Sequence, residues 1–196
     1  MSPSKKKVVK TQRLSTYAVD LNTRILEAGA HLDVVFETKQ GVIGAHRCIL
    51  ASASGALKSL VEDKTSPMPM DMSLPALRAF LKLVYTKQYE KVCIQENGLE
   101  VLAACVKYDL PSLVRVCVPI LCKSINVDNC LAYAEAAAMY DDDLYRISSR
   151  FVCKHFDEVV MTDAYQDLTC RKPNLAVALV RGTVKHKWSR FCCARF

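Results

Sequence analysis

Three groups of residues in the chain have the types that catalysis or metal binding would use. The first is Asp33, His46 and Cys48: an acid, a base and a thiol close together in sequence. A thiolate nucleophile needs its base across space, in a pocket that lowers the thiol's pKa. If HRCILAS opens a helix, His46 and Cys48 stand two positions apart and point to different sides. The spacing therefore predicts a structural cysteine packed beside Ile49 rather than a catalytic pair. The second group, Asp141, Asp142 and Asp143, has the oxygens of a cation site. Three acids ahead of an apolar run are also what helix capping and the helix dipole favour, and that is the expectation here. The third group is the ten cysteines. They never form CxxC; the closest spacings are Cys117 to Cys122 and the adjacent Cys192 and Cys193, so paired zinc ligands are not expected. The ending CCARF fits a prenylation box only loosely, because Arg195 stands where an aliphatic residue belongs. Glycine occurs only at 29, 41, 44, 55, 98 and 182, which leaves no phosphate-cradling loop or dinucleotide fingerprint. GxSxG and HExxH are also missing. The expectation is a non-enzyme with no catalytic, cofactor or metal residues.

The elements that would position such residues belong to a globular chain. Of its 196 residues 51% are hydrophobic and 24% charged, so it can bury a core. The longest apolar run, Val116 to Cys122, is far short of the roughly twenty residues of a spanning helix. MSPSKKKVVK has no apolar stretch behind it, so no secretory signal is expected. Reduced cysteines on helical faces then point to the nucleus or cytoplasm. The net charge of +7 is unevenly spread. Residues 1–13 carry +5, residues 171–196 carry +7, and the middle sums to −5. The folded domain is not expected to bind nucleic acid, which would need positive charge on a folded face.

Residues 31–38 (HLDVVFET) are rich in β-branched and aromatic types and predict a strand. KQG then turns into a second strand at Val42 and Ile43, giving a hairpin. PMPM at 67–70 predicts a short edge strand, where proline can leave ladder positions unfilled. Helical stripes follow: Leu74, Leu77, Phe80, Leu81 and Val84; then Leu99, Leu102, Ala103 and Val106; then Leu113, Val114, Cys117 and Leu121. Asn126 or Asp128 is expected to cap an alanine-rich helix reaching Met139. The next helix should bury Leu144, Ile147, Ser148, Phe151 and Val152, and a last one should run from Asn174 to Lys187. Ahead of the first strand, Leu21, Ile25 and Leu26 form an apolar stripe that their own hairpin is not obliged to cover. The fold class is α+β: a small sheet with helices, then an all-helical extension.

LDVVFETKQGVIGAHRCILASAS resembles the opening of a BTB/POZ domain, with Asp33, Ala45, His46, Arg47, Leu50, Ala51 and Ser54 at the family's positions. FLKLVYTKQY at 80–89 and NGLEVLAACVKYDLPSLVRVC at 97–117 resemble its later helices. LCKSINVDNCLAYAEAAAMYDDDLYRISSRFVCKHFDEVV resembles a BACK module, and LTCRKPNLAVALVRG is similar to the short BACK of speckle-type POZ proteins. The resemblance implies a basic tail over 1–18, a BTB/POZ domain over 19–124, a BACK-like domain over 125–187 and a second basic tail over 188–196. It implies a homodimer through Leu21, Ile25 and Leu26, with Asp33 and Arg47 as a buried charge pair beneath that interface. It also implies contact with cullin-3 through Leu60 and Glu62 and the helical surface near Tyr85 and Tyr108, as an adaptor presenting an unidentified substrate protein to a ubiquitin ligase. The alternative is a BTB dimerisation scaffold in transcriptional or structural assembly without cullin. Three departures stand out. Gly55, Ala56 and Leu57 replace an expected aromatic. Pro119 falls where the family's helix continues, so a kink or break is expected. The stretch from Leu60 to Met68 is shorter than in speckle-type proteins, and no MATH or Kelch domain fits within 1–18 or 188–196.

Overall fold

The computed structural model describes residues 19, 21–62, 66–88 and 91–181. They form two compact units, the first ending at Cys117 and the second starting at Val118.

In the first unit helix α1 is described over residues 21–28. Strands β1 (Val34–Thr38) and β2 (Gly41–Ala45) then pair antiparallel, Val34 opposite Ala45 and Thr38 opposite Gly41. Alternation sends Val34, Phe36 and Thr38 into the core and turns Glu37 to solvent. Gly41 leaves the turn at φ +149°, a backbone region that side chains rarely allow. At Gly44 a Cβ would stand 2.4 Å from Leu32 Cδ1, so glycine lets Leu32 lie across the strand. The proline-rich stretch does form an edge strand: β3 (Met68–Pro69) runs parallel to β1, giving the order β2-β1-β3.

Helices α2 (Arg47–Ala53) and α3 (Gly55–Glu62) follow the hairpin. Between them Ser54 is extended; its Oγ accepts from Leu57 N at 3.1 Å and donates to the Tyr108 carbonyl at 2.6 Å. The serine thus caps α3 and ties it to a distant turn. Helix α4 (Leu74–Thr86) starts at Ser73, which accepts from Ala76 N. Gln40 Oε1 takes the N–H of Leu74 and Glu100 Oε2 that of Ser73, so side chains from two other elements close this terminus. Lys87 ends the helix in the left-handed region at φ +55°.

Helix α5 (Lys91–Lys107) departs from the expected stripe. Val101, Leu102, Ala104, Cys105 and, just past its end, Tyr108 are buried, whereas Leu99 and Ala103 are half-buried and Val106 is exposed. Its apolar residues lie nearly all round, so periodicity alone does not single out the packed face. Helix α6 (Pro111–Lys123) carries Pro119 in its interior and is not broken there. The ring removes the hydrogen bond to the Arg115 carbonyl, and both residues are exposed, so solvent can take that carbonyl.

The second unit contains helices α7 (Cys130–Tyr140), α8 (Asp142–Lys154), α9 (Phe156–Val159) and α10 (Asp163–Arg171), then α11 over 173–181. The aspartate run caps as expected: Asp141 accepts from Leu144 N at 2.8 Å, and Asp142 and Asp143 fill the first turn of α8. Neither Asn126 nor Asp128 stands at the N-cap of α7. Asn129 does, and it exchanges hydrogen bonds with Asn126 through both backbone N–H groups, closing the turn before the helix. The core is Leu131, Ala134, Val152, Val159, Leu168 and Leu179. Helices α9 and α10 were not foreseen, being short and polar. The expected last helix is seen through Arg181, and 182–187 lie outside the described residues. Glu135 on α7 takes Arg171 at 3.0 Å and Lys172 at 3.1 Å. Burial pushes the Glu135 carboxyl up, but these two cations outweigh it and hold the group below its ordinary value.

Candidate interaction surface

The polar trio that looked most like chemistry has a structural role. His46 stands at the N-cap of α2 without capping it by its side chain. Its ring is buried, with Nδ1 2.9 Å from the Tyr85 hydroxyl and Nε2 2.8 Å from the Ala30 carbonyl. Both nitrogens are thereby used. Cys48 does not pack beside Ile49 as expected; it is exposed. Helix α2 buries only Leu50, and Cys48 shares the outer face with Ser52 one turn on.

Asp33 and Arg47 meet, but not as a buried charge pair in the single chain, since Asp33 is exposed. The Asp33 carboxylate accepts from the backbone N–H of Arg47 at 2.7 Å. It supplies the cap that His46 does not, where the helix dipole favours an acid. Arg47 Nε donates to the Asp33 carbonyl at 2.8 Å, and its Nη1 donates to the Val61 carbonyl. Arg47 thus joins the start of the sheet to the last turn of α3, satisfying a terminal carbonyl there.

Of the residues expected at a dimer seam, Leu21 is 41% exposed and Ile25 and Leu26 are half-buried. Of those expected to meet cullin, Leu60 is half-buried and Glu62 is exposed, in a 3.7 Å pair with Lys58. Val61 between them is buried. Tyr85 and Tyr108 are corrections: they are 3% and 7% exposed and offer no surface in the single chain. Their rings complete the packing at the ends of α4 and α5. The Tyr108 hydroxyl donates to Met70 Sδ at 3.4 Å, and burial pushes the Tyr85 hydroxyl's pKa up. Sequence reasoning missed the link from His46 to Tyr85 and Ala30, because no local spacing encodes contacts between such separated positions.

Among the described residues no group of three His, Cys, Asp or Glu side chains could hold a metal ion. Cys48, Cys105, Cys117, Cys122, Cys130, Cys153 and Cys170 are free thiols. Cys105 and Cys117 are buried in mutual hydrogen-bond contact, and that bond with burial drives the Cys105 pKa up. No helix of the described residues is long and apolar enough to cross a membrane.

Beside this small sheet and its helices, α1 leaves Leu21 exposed next to the half-buried Ile25 and Leu26, an apolar stripe of the kind a partner protein covers. Residues 23–125 match the BTB/POZ domain family, and the chain belongs to it. It is 30% identical over 183 residues to BTB/POZ and TAZ domain-containing protein 4 of Arabidopsis thaliana, an alignment covering 87% of this chain and 48% of that protein. It is 26% identical over 152 residues to Kelch-like protein 40b of Danio rerio, covering 74% of this chain and 24% of that one. The chain thus spans about half, or about a quarter, of these relatives' lengths. Among solved structures, the BTB domain of zebrafish PATZ1 aligns with 58% of this chain and 94% of its own, at TM-score 0.45 and 17% identity.

Proposed function

We propose that the chain is a homodimeric BTB adaptor that brings a substrate protein to a cullin-3 ubiquitin ligase. In this reading residues 19–124 dimerise and bind cullin, and 125–187 form a BACK-like extension of the kind found in speckle-type POZ proteins. The observation that carries it is the end of α3. There Leu60 and Glu62 reach the surface on either side of a buried Val61, whose carbonyl Arg47 holds. A half-buried leucine can anchor in a partner while the rim glutamate adds specificity. A specific interface usually buries about 1,600 Å², so a second element is needed. With Tyr85 and Tyr108 buried, it falls to their exposed neighbours Lys87, Lys107 and Asp109.

Calorimetry of the purified chain against the cullin-3 N-terminal domain tests the reading. Binding should be lost in Leu60→Asp, weakened about tenfold in Glu62→Lys, and unchanged when residues 1–13 are deleted. No heat and no co-elution at tens of micromolar would leave the second reading, a dimerisation scaffold without cullin. The short connection favours that alternative: α3 ends at Glu62 and β3 begins at Met68.

A further inference from the structure

Helix α1 is described over residues 21–28, and Val19 ahead of it is helical too. At two places it is tied to one small unit of the core. Asn22 Nδ2 donates to the Tyr85 backbone carbonyl at 2.8 Å. Just beyond its last turn, the Ala30 carbonyl lies 2.8 Å from His46 Nε2. Tyr85 and His46 are joined to each other twice. The Tyr85 hydroxyl accepts from the backbone N–H of His46 at 2.8 Å and sits 2.9 Å from His46 Nδ1. In the neutral ring these contacts assign the protons. A carbonyl only accepts, so Nε2 carries the hydrogen, and the hydroxyl gives its own proton to Nδ1.

Every polar atom of the two side chains is therefore spent on Ala30, just past α1, or on the other member of the pair, while the Tyr85 backbone carbonyl takes Asn22. Tyr108 provides the contrast: its hydroxyl, equally buried at the end of a neighbouring helix, goes to Met70.

We propose that His46 and Tyr85 form a clamp that docks α1, through Asn22 and through Ala30 just after the helix, and so decides whether the seam of the dimer exists. The proposal rests on the reading of α1 as that seam. In a two-fold interface both copies must present α1 at once, so dimer affinity follows the square of the docked fraction. A docked fraction lowered to roughly one third would weaken the dimer about tenfold.

The test uses the full chain and the variants Tyr85→Phe, His46→Asn and His46→Gln, with Tyr108→Phe as control. Hydrogen exchange reads the protection of amides 21–28 against those of α4 and α5, and sedimentation reads the dimer. Tyr85→Phe, which keeps the carbonyl for Asn22 but removes the hydroxyl that holds the His46 ring against Ala30, should lose α1 protection selectively and weaken the dimer about tenfold. His46→Gln, whose amide nitrogen can reach the position of Nε2, should retain more α1 protection than His46→Asn. Tyr108→Phe should leave α1 unchanged. Unaltered α1 exchange in both Tyr85→Phe and His46→Asn overturns the clamp, as does an equal loss of protection in α1, α4 and α5. If the unmodified chain sediments as a monomer, the seam reading fails, and exchange in α1 still decides the clamp.

Discussion

Ser54 and Ser148 carry the same hydroxyl at opposite cost. Ser54 gives one hydrogen bond to the Tyr108 carbonyl and takes one from Leu57 N, so its loss uncaps α3 and unties a turn. Ser148 is fully buried in α8 and its Oγ has no hydrogen-bond partner among the described residues. Ser54→Ala should cost about 1–2 kcal/mol of stability. Ser148→Ala should be neutral or stabilise by up to about 1 kcal/mol, because it removes a polar atom that burial has already desolvated. Urea unfolding of the two variants checks both signs. The thiols make a second prediction. Burial pushes Cys130 up to about 11, so the folded chain keeps a proton there that the unfolded chain gives up at the ordinary value of about 8.5. Stability contributed by the neutral buried thiol is full below that ordinary value and falls as pH rises towards 11, by at most ~1.4 kcal/mol per unit. Cys122 and Cys153 are raised in the same sense by burial. In the native state at neutral pH, Cys48 and Cys170 should react with a thiol reagent before Cys105, Cys117 and Cys130, because they are exposed and the other three are buried. Equal rates for all five would contradict the burial described.

Helix α6 shows what an element tolerates. Its interior proline deprives the Arg115 carbonyl of a partner, yet the helix continues to Lys123 because flanking residues such as Leu113, Cys117 and Leu121 are buried. Packing of an apolar face outweighs one lost hydrogen bond. Pro119→Ala restores the N–H at an exposed position and should stabilise the chain by about 1–3 kcal/mol. An unchanged or lowered midpoint on thermal unfolding would mean that the proline's rigidity matters more than the bond it removes. The N-terminus of α4 makes the complementary point, since its free N–H groups are met by Gln40 and Glu100 from other elements as well as by Ser73.

For the whole molecule the open question is association. Leu21 is exposed in the single chain beside the half-buried Ile25 and Leu26, a stripe suited to a second copy. Leu21→Asp combined with Ile25→Asp should convert a micromolar or tighter dimer into monomer, because each charge would enter a desolvated seam. Sedimentation equilibrium reads this directly, and an unmodified chain that is monomeric at micromolar concentration would remove the seam. Charge distribution makes a separate demand: with +5 in residues 1–13 and +7 in residues 171–196 around a middle of −5, weak salt-dependent contacts should follow the ends.

What the sequence by itself determined is what local geometry encodes. The β-branched and aromatic run at 31–38 with its KQG turn made a hairpin, prolines sent residues 67–70 to a sheet edge, and the aspartates at 141–143 opened α8. These follow from residue preference, from turn chemistry and from the needs of a helix's first turn, all within a few positions. The composite motif around Asp33, His46 and Arg47 was legible as a family likeness, but the use of those residues was not. Whether Asp33 meets a guanidinium or a helix N–H, whether Tyr85 faces a partner or the core, and which side of α5 is packed depend on residues tens of positions away. No spacing rule carries that information, because the chain path alone decides which side chains meet and how much water is left between them. Tertiary structure therefore separated an apparent catalytic trio, burying His46 against Tyr85, setting Asp33 on the first N–H of α2 and leaving Cys48 in solvent.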